Sequence, residues 1–546
     1  MRVLHHFGAS FLDFIENTRV GSSAWQLARV GIFALAVLVA SKVASGQFLS
    51  FTLSDILFMA ITAVLFLLVF VRWEIGILLI LASTSFIAYY DAMPTLSLYH
   101  FIPEIRILEH LRLLIGQGLM LFLLALFFTN LESRTARARL ATPMVVAVLV
   151  FLLVILIASI LGLLFGNVSL PKMVETARPY SFYLMFFVTL LCVRGRRELR
   201  ILLTTAMVMA CIVAILMFVQ FVAGDRFKVF LGQSVRVEQF GGFAGRILPP
   251  GTELIWMTVP FVIAHIPIAS RRGGRVLIGV LGLLLSALLL TFTRSVWMGT
   301  LLSMSIMAIL GRGAIRRGVL RMFVALGAFV ALLLVLLSLV STERENYMTP
   351  YVKRFSSIFN PESYAEGSSA GARWEEISAA WPVIVKNPWL GIGPGASYNH
   401  VQAWDDYSNT HYMRGVSYIH NAYVLLLTQS GVLGLVTCMV MYIVFFVRSR
   451  KIFHSLDSHE DRSIVMAAIG GVASVMLASI MQPSLWYPPA VPCIGILFGL
   501  VELVRFLHDR EKSERQASDH ATVVRDRRVS LRRSSSTAFG RTATSR

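Results

Sequence analysis

The chain has 546 residues, of which 56% are hydrophobic and only 14% charged, with a mean hydropathy of +0.72. A water-soluble domain carries about 25% charge, so a soluble fold is excluded for most of this length and the bilayer must be the solvent. The net charge of +19 would suit nucleic acid, but the arginines sit in short loops between apolar runs and in a polar C-terminal tail, a pattern that sets orientation in a membrane and argues against a nucleic-acid partner.

A bilayer-spanning helix needs about 20 mostly apolar residues. In chain order such runs lie near 26–44, 52–71, 74–90, 112–130, 144–165, 180–193, 200–222, 252–269, 275–292, 295–310, 321–341, 419–447, 463–482 and 487–506. The run 180–193 is short, and the pairs 52–71/74–90 and 275–292/295–310 are closely spaced. The expected fold is therefore an all-α integral membrane protein with about 12–14 transmembrane helices. The first run follows a basic segment without a small-residue cleavage site and is expected to be retained as a helix. Cys192, Cys211, Cys438 and Cys493 fall in or at the ends of apolar runs, too far apart for a local metal site or a disulfide framework.

Alternate loops are rich in arginine: Arg134, Arg137 and Arg139; Arg194, Arg196, Arg197 and Arg200; Arg271, Arg272 and Arg275; Arg312, Arg316, Arg317 and Arg321; Arg448, Arg450 and Lys451. The positive-inside rule places these in the cytoplasm, with both termini. The expected organisation is a cytoplasmic segment 1–25, helices over 26–341, a large periplasmic loop 342–418, helices over 419–506 and a basic, Ser-rich cytoplasmic tail 507–546. That tail has too few apolar residues to fold alone and is expected to be disordered, its arginines near anionic lipid heads. A second outward loop, 224–251, carries Arg226, Lys228, Arg236 and Arg246.

The large loop has structure of its own. Trp374, Ile377, Trp381 and Val385 recur at helical spacing, with Pro382 inside the pattern. The helix ends at Asn387-Pro388 and is followed by Trp389-Leu390-Gly391-Ile392-Gly393-Pro394-Gly395. Three alternate glycines permit either a tight turn or a close backbone approach; without a following Lys-Ser/Thr this is no phosphate-binding P-loop. His420-Asn421 opens the next helix, where the positive end of the dipole favours neutral imidazole, so His420 is either an interfacial polar residue or a base. Gly431 and Gly434 share a face that would admit another helix. Arg294, between two apolar runs, is costly unless it snorkels to the interface or faces a polar cavity, and Glu253 is the nearest partner by type. The loop aromatics Tyr347, Tyr351, Tyr398, Trp404, Tyr407, Tyr412 and Tyr418 suit either sugar faces or an interface belt. Asp405-Asp406 is an adjacent pair on a loop, not an Asp-x-Asp metal motif.

Thr291–Gly299, the stretch Arg373 to Gly395, and His420 separated by ten residues from Gly431 together resemble the O-antigen ligase and polymerase superfamily over about residues 250–445. These are bacterial inner-membrane glycosyltransferases, GT-C-like in architecture, with a large periplasmic loop. The resemblance implies an undecaprenyl diphosphate-linked glycan as donor and transfer of its reducing-end sugar to an acceptor hydroxyl, with inversion. It implies no metal and no cofactor. Arg294 and Arg373 would hold the diphosphate, because a guanidinium fork matches phosphate oxygens and keeps its charge, and His420 would take or orient the acceptor's proton. Arg178, Arg236, Arg246, Glu253, Asn421, Gly393 and Gly395 are further substrate-binding candidates. The acceptor is another lipid-linked glycan in a polymerase, lipid A–core in a ligase, or protein in a related enzyme; chain length and helix count lean toward a polymerase of O-antigen or exopolysaccharide. Membrane lipids and polysaccharide assembly proteins are the other expected partners. A glycan-lipid flippase would instead show mid-membrane charges and repeated halves, and a scaffold would not need the three residues in order.

Overall fold

The computed structural model describes residues 73–86, 120–121, 123–124, 138–166, 168–223, 229, 239–240, 244–245, 247–249, 251–340, 369–398 and 419–539. The spans expected at 26–44 and 52–71 lie outside these residues, as do Arg236, Arg246 and Asp405-Asp406. The architecture is all-α. In chain order the helices are α1 (Trp73–Phe86), α2 (Pro143–Phe165), α3 (Leu170–Ala177), a 3-10 segment (Arg178–Leu184) leading into α4 (Met185–Cys192), α5 (Arg196–Ala223), α6 (Thr252–His265), α7 (Arg271–Leu290), α8 (Arg294–Leu310), α9 (Gly313–Val340), α10 (Ser369–Lys386), α11 (Ala422–Ser455), α12 (His459–Ala478) and α13 (Ala490–Phe539). A two-residue antiparallel ladder, Gln239–Phe240 with Ala244–Gly245, lies between α5 and α6.

Among the described residues, six helices are long and apolar enough to cross a membrane: α2, α5, α7, α11, α12 and the first part of α13. The chain is a multi-pass membrane protein. The short run near 180–193 begins as a tight 3-10 segment after Pro179, and α3, the 3-10 segment and α4 follow one another without a loop.

α12 and α13 form the centre and are surrounded by protein, whereas α2, α5 and α7 turn much of their surface outward. In lipid there is little hydrophobic drive between helices, so close approach of small residues does the packing. A side chain at Gly495 would meet Met185 Cβ at 2.9 Å and one at Gly499 would meet Thr189 Cβ at 2.6 Å, so this Gly-x-x-x-Gly pair seats α13 on α4. Gly299 and Gly470 do the same between α8 and α12, Gly299 against Ser474 O of α12 as well as Trp256 of α6, and Gly470 against Ser303 of α8. A buried aromatic cluster of Phe151, Tyr180, Tyr183, Tyr442, Phe445 and Phe498 ties α2, the 3-10 segment, α11 and α13 together.

Helix ends fall into two sets. At one end, Arg196 forks onto Asp461 (Nη2–Oδ2 2.9 Å) and Glu511 (Nε–Oε1 2.8 Å), Arg448 pairs with Glu502, and Arg139 donates to the carbonyls of Leu190 and Val193 at 2.8 Å each. This end carries the arginine-rich loops. At the other end lie the α2–α3 and α7–α8 turns, α10, the start of α11, and residues 479–489.

α11 is not one helix. Gly431 adopts φ 64°, ψ −165° and breaks it. The carbonyls stranded by the break, those of Thr428 and Gln429, accept from Ile392 N (2.9 Å) and Gly393 N (3.1 Å); the stranded amides of Val432 and Leu433 donate to Pro388 O (2.7 Å) and Trp389 O (3.1 Å). The glycine-rich loop after α10 is thus the plug of a broken helix. What approaches Gly431 is this loop backbone, not a second helix: a side chain at Gly431 would lie 2.3 Å from Trp389 C, and one at Gly434 would strike Ser430 of its own turn.

Beyond the membrane, α13 runs on to Phe539, where composition alone suggests a disordered tail. No Gly or Pro interrupts 500–539, and Gly540 follows the last helical residue; Arg, Glu, Lys and Ala are strong helix formers, and the pairs Arg505–Asp509 and Arg510–Glu514 support it at i,i+4.

Two predictions follow from this packing. Arg196→Ala strips a buried Asp461 of its fork and is expected to cost about 3 kcal/mol, whereas Arg200→Ala, which loses only an exposed pair with Glu460, is expected to cost under about 1 kcal/mol; melting curves of the two detergent-solubilised variants test the difference. Gly431→Ala is expected to abolish recovery of monodisperse protein, while Gly279→Ala, which meets nothing within 4 Å, leaves it unchanged, as size-exclusion profiles will show.

Candidate active site

Arg294 is the first residue of α8. The turn before it is tight. Thr291 Oγ1 donates to Leu288 O at 2.7 Å, Thr293 Oγ1 donates to Thr291 O at 2.9 Å, and Trp297 Nε1 donates to Leu288 O at 3.0 Å. Phe292, fully buried, is held at φ 48°, a left-handed conformation that costs a non-glycine residue about 1–2 kcal/mol. The turn fixes a cation at the positive end of a helix dipole. That placement is unfavourable by itself and favourable once an anion sits there, because guanidinium and helix amides then act on the same charge.

His420 lies directly before α11, whose N-cap is Asn421: the Asn421 side chain accepts from Tyr423 N (3.0 Å) and Val424 N (3.1 Å). The imidazole is gripped by Glu376 of α10. Glu376 Oε1 lies 2.7 Å from His420 Nδ1, and Glu376 Oε2 accepts from His420 N at 2.9 Å. The carboxylate is sealed in protein, with 1% of its side chain exposed, while the imidazole is 29% exposed. An ionised carboxylate only accepts, so Nδ1 carries a proton, and in the neutral imidazole the lone pair then lies on Nε2. Tyr398 is buried in the small cluster of Ala380, Ile384, Ile419 and Leu425 behind this pair; burial first, and then the Glu376 charge, push its hydroxyl well above the usual phenol range.

Arg373 stands three residues before Glu376 on the same face of α10, so the cation and the His–carboxylate pair lie within one helical turn, about 5–6 Å between Cβ atoms. Its Nη1 reaches Met481 Sδ at 4.0 Å. The next residue, Gln482, donates from Nε2 to Ser295 Oγ at 2.8 Å, beside Arg294. Ala422 N donates to Ser479 O at 2.9 Å and Tyr423 Oη to Met476 O at 2.6 Å. The turn that ends α12 therefore gathers all three residues: Arg294 through Ser295, Arg373 directly, and His420 through the first turn of α11.

The remaining candidates divide. Arg178 begins the 3-10 segment at the same end, where Trp486 Nε1 donates to Thr176 O at 2.7 Å. Glu253 is buried in the first turn of α6, and its Oε2 takes no hydrogen bond. Asn421 is occupied in capping α11. Gly393 lies on Gly162 of α2, and Gly395 on the backbone of Lys172, close enough that a side chain at either would meet backbone within 3.0 Å; both glycines serve helix–loop packing in this structure. Among the described residues no group of three or more His, Cys, Asp or Glu is arranged to hold a metal ion. Sequence reasoning missed Glu376, Met481 and Gln482. The helical wheel of α10 carries a signal for Glu376, since it puts Arg373, Glu376, Ala380 and Ile384 on one side. The groove between α2 and α11, lined by Leu140, Pro143, Val146, Val440 and Val444, opens at the basic end and is apolar, so it is no part of this site.

Residues 279–439 match the family model described as O-antigen ligase. No curated protein matches the chain. The matched segment runs from α7 into α11 and contains Arg294, Arg373, Glu376, the glycine-rich plug, His420 and Gly431. Over this segment the chain is similar to the O-antigen ligase family.

Proposed function

We propose that the chain transfers a glycan from a polyprenyl diphosphate carrier, undecaprenyl diphosphate in a bacterial inner membrane, to an acceptor hydroxyl on the periplasmic face. The observation that supports this reading most is the gathering of two arginines and a carboxylate-held histidine around one turn at the end opposite the arginine-rich loops. The positive-inside rule favours the cytoplasm for those loops, and this supports a site on the opposite, periplasmic side.

In this reading Arg294 and Arg373 bind the diphosphate and stabilise the charge that grows on it as the sugar C1–O bond breaks. His420 Nε2 accepts the proton of the acceptor hydroxyl while its oxygen bonds to C1 from the opposite face, so the anomeric centre inverts and lipid diphosphate leaves. Glu376 fixes the tautomer and steadies the imidazolium that forms. The arginines supply positive charge that a metal ion supplies in other glycosyltransferases. The family description favours lipid A–core as acceptor, the ligase form. The length and expected helix count favour a second lipid-linked glycan, the polymerase form.

His420→Ala is expected to lower the transfer rate by about 10²–10⁴-fold. Glu376→Gln is expected to lower it by at least about tenfold, because an amide offers one acceptor where two hydrogen bonds are needed. Arg294→Ala and Arg373→Ala should fall likewise, and Arg373→Lys should not restore the rate, since an ammonium lacks the fork. Each variant is read by surface polysaccharide size on a gel, with membrane expression measured in parallel. Normal polymer from all of them would sink the catalytic reading. In a deletion strain, single repeat units on core indicate the polymerase form, and bare core with long polymer on its lipid carrier indicates the ligase form.

A further inference from the structure

The periodicity of α10 marks an apolar stripe, and the structure turns that stripe away from the protein. Trp374 is 69% exposed, Trp381 55% and Val385 61%, and Trp389, in the turn after the helix, is 68% exposed. The opposite face holds Arg373, Glu376, Ala380 and Ile384 against α11 and residues 479–487. This inverts the usual amphipathic pattern, in which the apolar face is buried.

At its Trp389 end the stripe, flanked by exposed Lys386 and Asn387, adjoins the membrane-crossing part of the protein. Pro388 O and Trp389 O accept from Val432 N and Leu433 N, and Val432, Leu433, Val436 and Val440 are the exposed face of a membrane-crossing helix. On the other flank the plug lies on Gly162, one turn from Leu164 and Phe165, which are 68% and 79% exposed. The patch thus abuts surface that faces hydrocarbon, and Lys386 beside it is a residue that snorkels at a membrane interface. Indole rings, apolar in body with one polar N–H, are the side chains that settle at headgroup depth.

We infer that α10 lies in the plane of the membrane interface at the site end, with Trp374, Trp381, Val385 and Trp389 seated among phospholipid headgroups and glycerol. This placement stands apart from the proposed reaction. It would hold Arg373 and the Glu376–His420 pair at the level of the lipid phosphates.

The test uses the full chain in nanodiscs of phosphatidylethanolamine and phosphatidylglycerol, one copy per disc. Single cysteines at Trp381, Val385 and Trp389 are labelled with an environment-sensitive fluorophore; Val440→Cys is the hydrocarbon control and Gln516→Cys the water control. Unmodified chain, labelled in parallel, sets the background from the native cysteines. Labels on the stripe should be quenched about twofold more by headgroup-nitroxide lipid than by lipid with the nitroxide at mid-chain, and should be shielded from iodide relative to Gln516. Iodide quenching equal to that at Gln516, with no lipid quenching, would mean a water-facing surface awaiting a protein and would overturn the inference. Shielding from lipid and iodide alike would mean that the chain itself covers the stripe, and would overturn it too. Where Trp381→Cys fails to fold, Ser378→Cys, exposed on the same face, carries the same reading.

Discussion

Within hydrocarbon every backbone N–H and C=O needs a partner inside the protein, and one consequence of that constraint organises this molecule. A helix broken at membrane depth strands several backbone groups at once, and only another piece of backbone can meet them all. Here the piece is the loop Pro388–Gly395. Two of its carbonyls and two of its amides meet the four groups freed at Gly431. The loop can come so close because Gly391, Gly393 and Gly431 carry no side chain where it touches α2 and α11. The glycine-rich segment and the histidine helix, far apart in the chain, are therefore one structural unit. The break fixes where α10 ends, and so where Arg373 and Glu376 stand relative to His420.

The electrostatics of the site rest on that unit. Glu376 brings a buried negative charge to the N-terminus of α11, where the helix dipole and the His420 amide both favour it. The imidazole then turns Nδ1 to Glu376 and leaves Nε2 as the ring nitrogen that a substrate could meet. Arg294 and Arg373 come from different helices and are both tied to the turn 479–482, Arg373 through Met481 and Arg294 through its neighbour Ser295 and Gln482. That turn lies beyond the segment shared with the family model, so the geometry of the two cations depends on α12 as well as on the elements that carry the family motifs.

The membrane architecture was legible because composition and arginine placement are averages over long segments. The order Arg294, Arg373, His420 was legible because all three occur in recognisable local settings. Glu376 was harder to see: the helical wheel sets it with Arg373 and apart from Glu375, but its role rests on the contact with His420, 44 residues away, which spacing does not reveal. Gly431 read as a packing glycine because spacing cannot reveal a positive φ. The Gly495–Gly499 pair went unremarked since its meaning depends on Met185 and Thr189 of a helix three hundred residues earlier. The tail was read from hydrophobicity, which measures burial, whereas a lone helix is sustained by propensity and side-chain pairs.

The break in α11 has a mechanical consequence. A continuous helix acts as a lever: when bilayer thickness changes its tilt, the far end moves. At Gly431 the lever is cut. The stub Ala422–Ser430 is moored to Ser479 and Met476 at its start and to the plug at its end, and the stretch below is tied to the same plug through Val432 and Leu433. The plug is thus a joint between two rods, and the stub behind His420 takes its direction from α10 and the buried α12 as well as from the lipid-facing stretch.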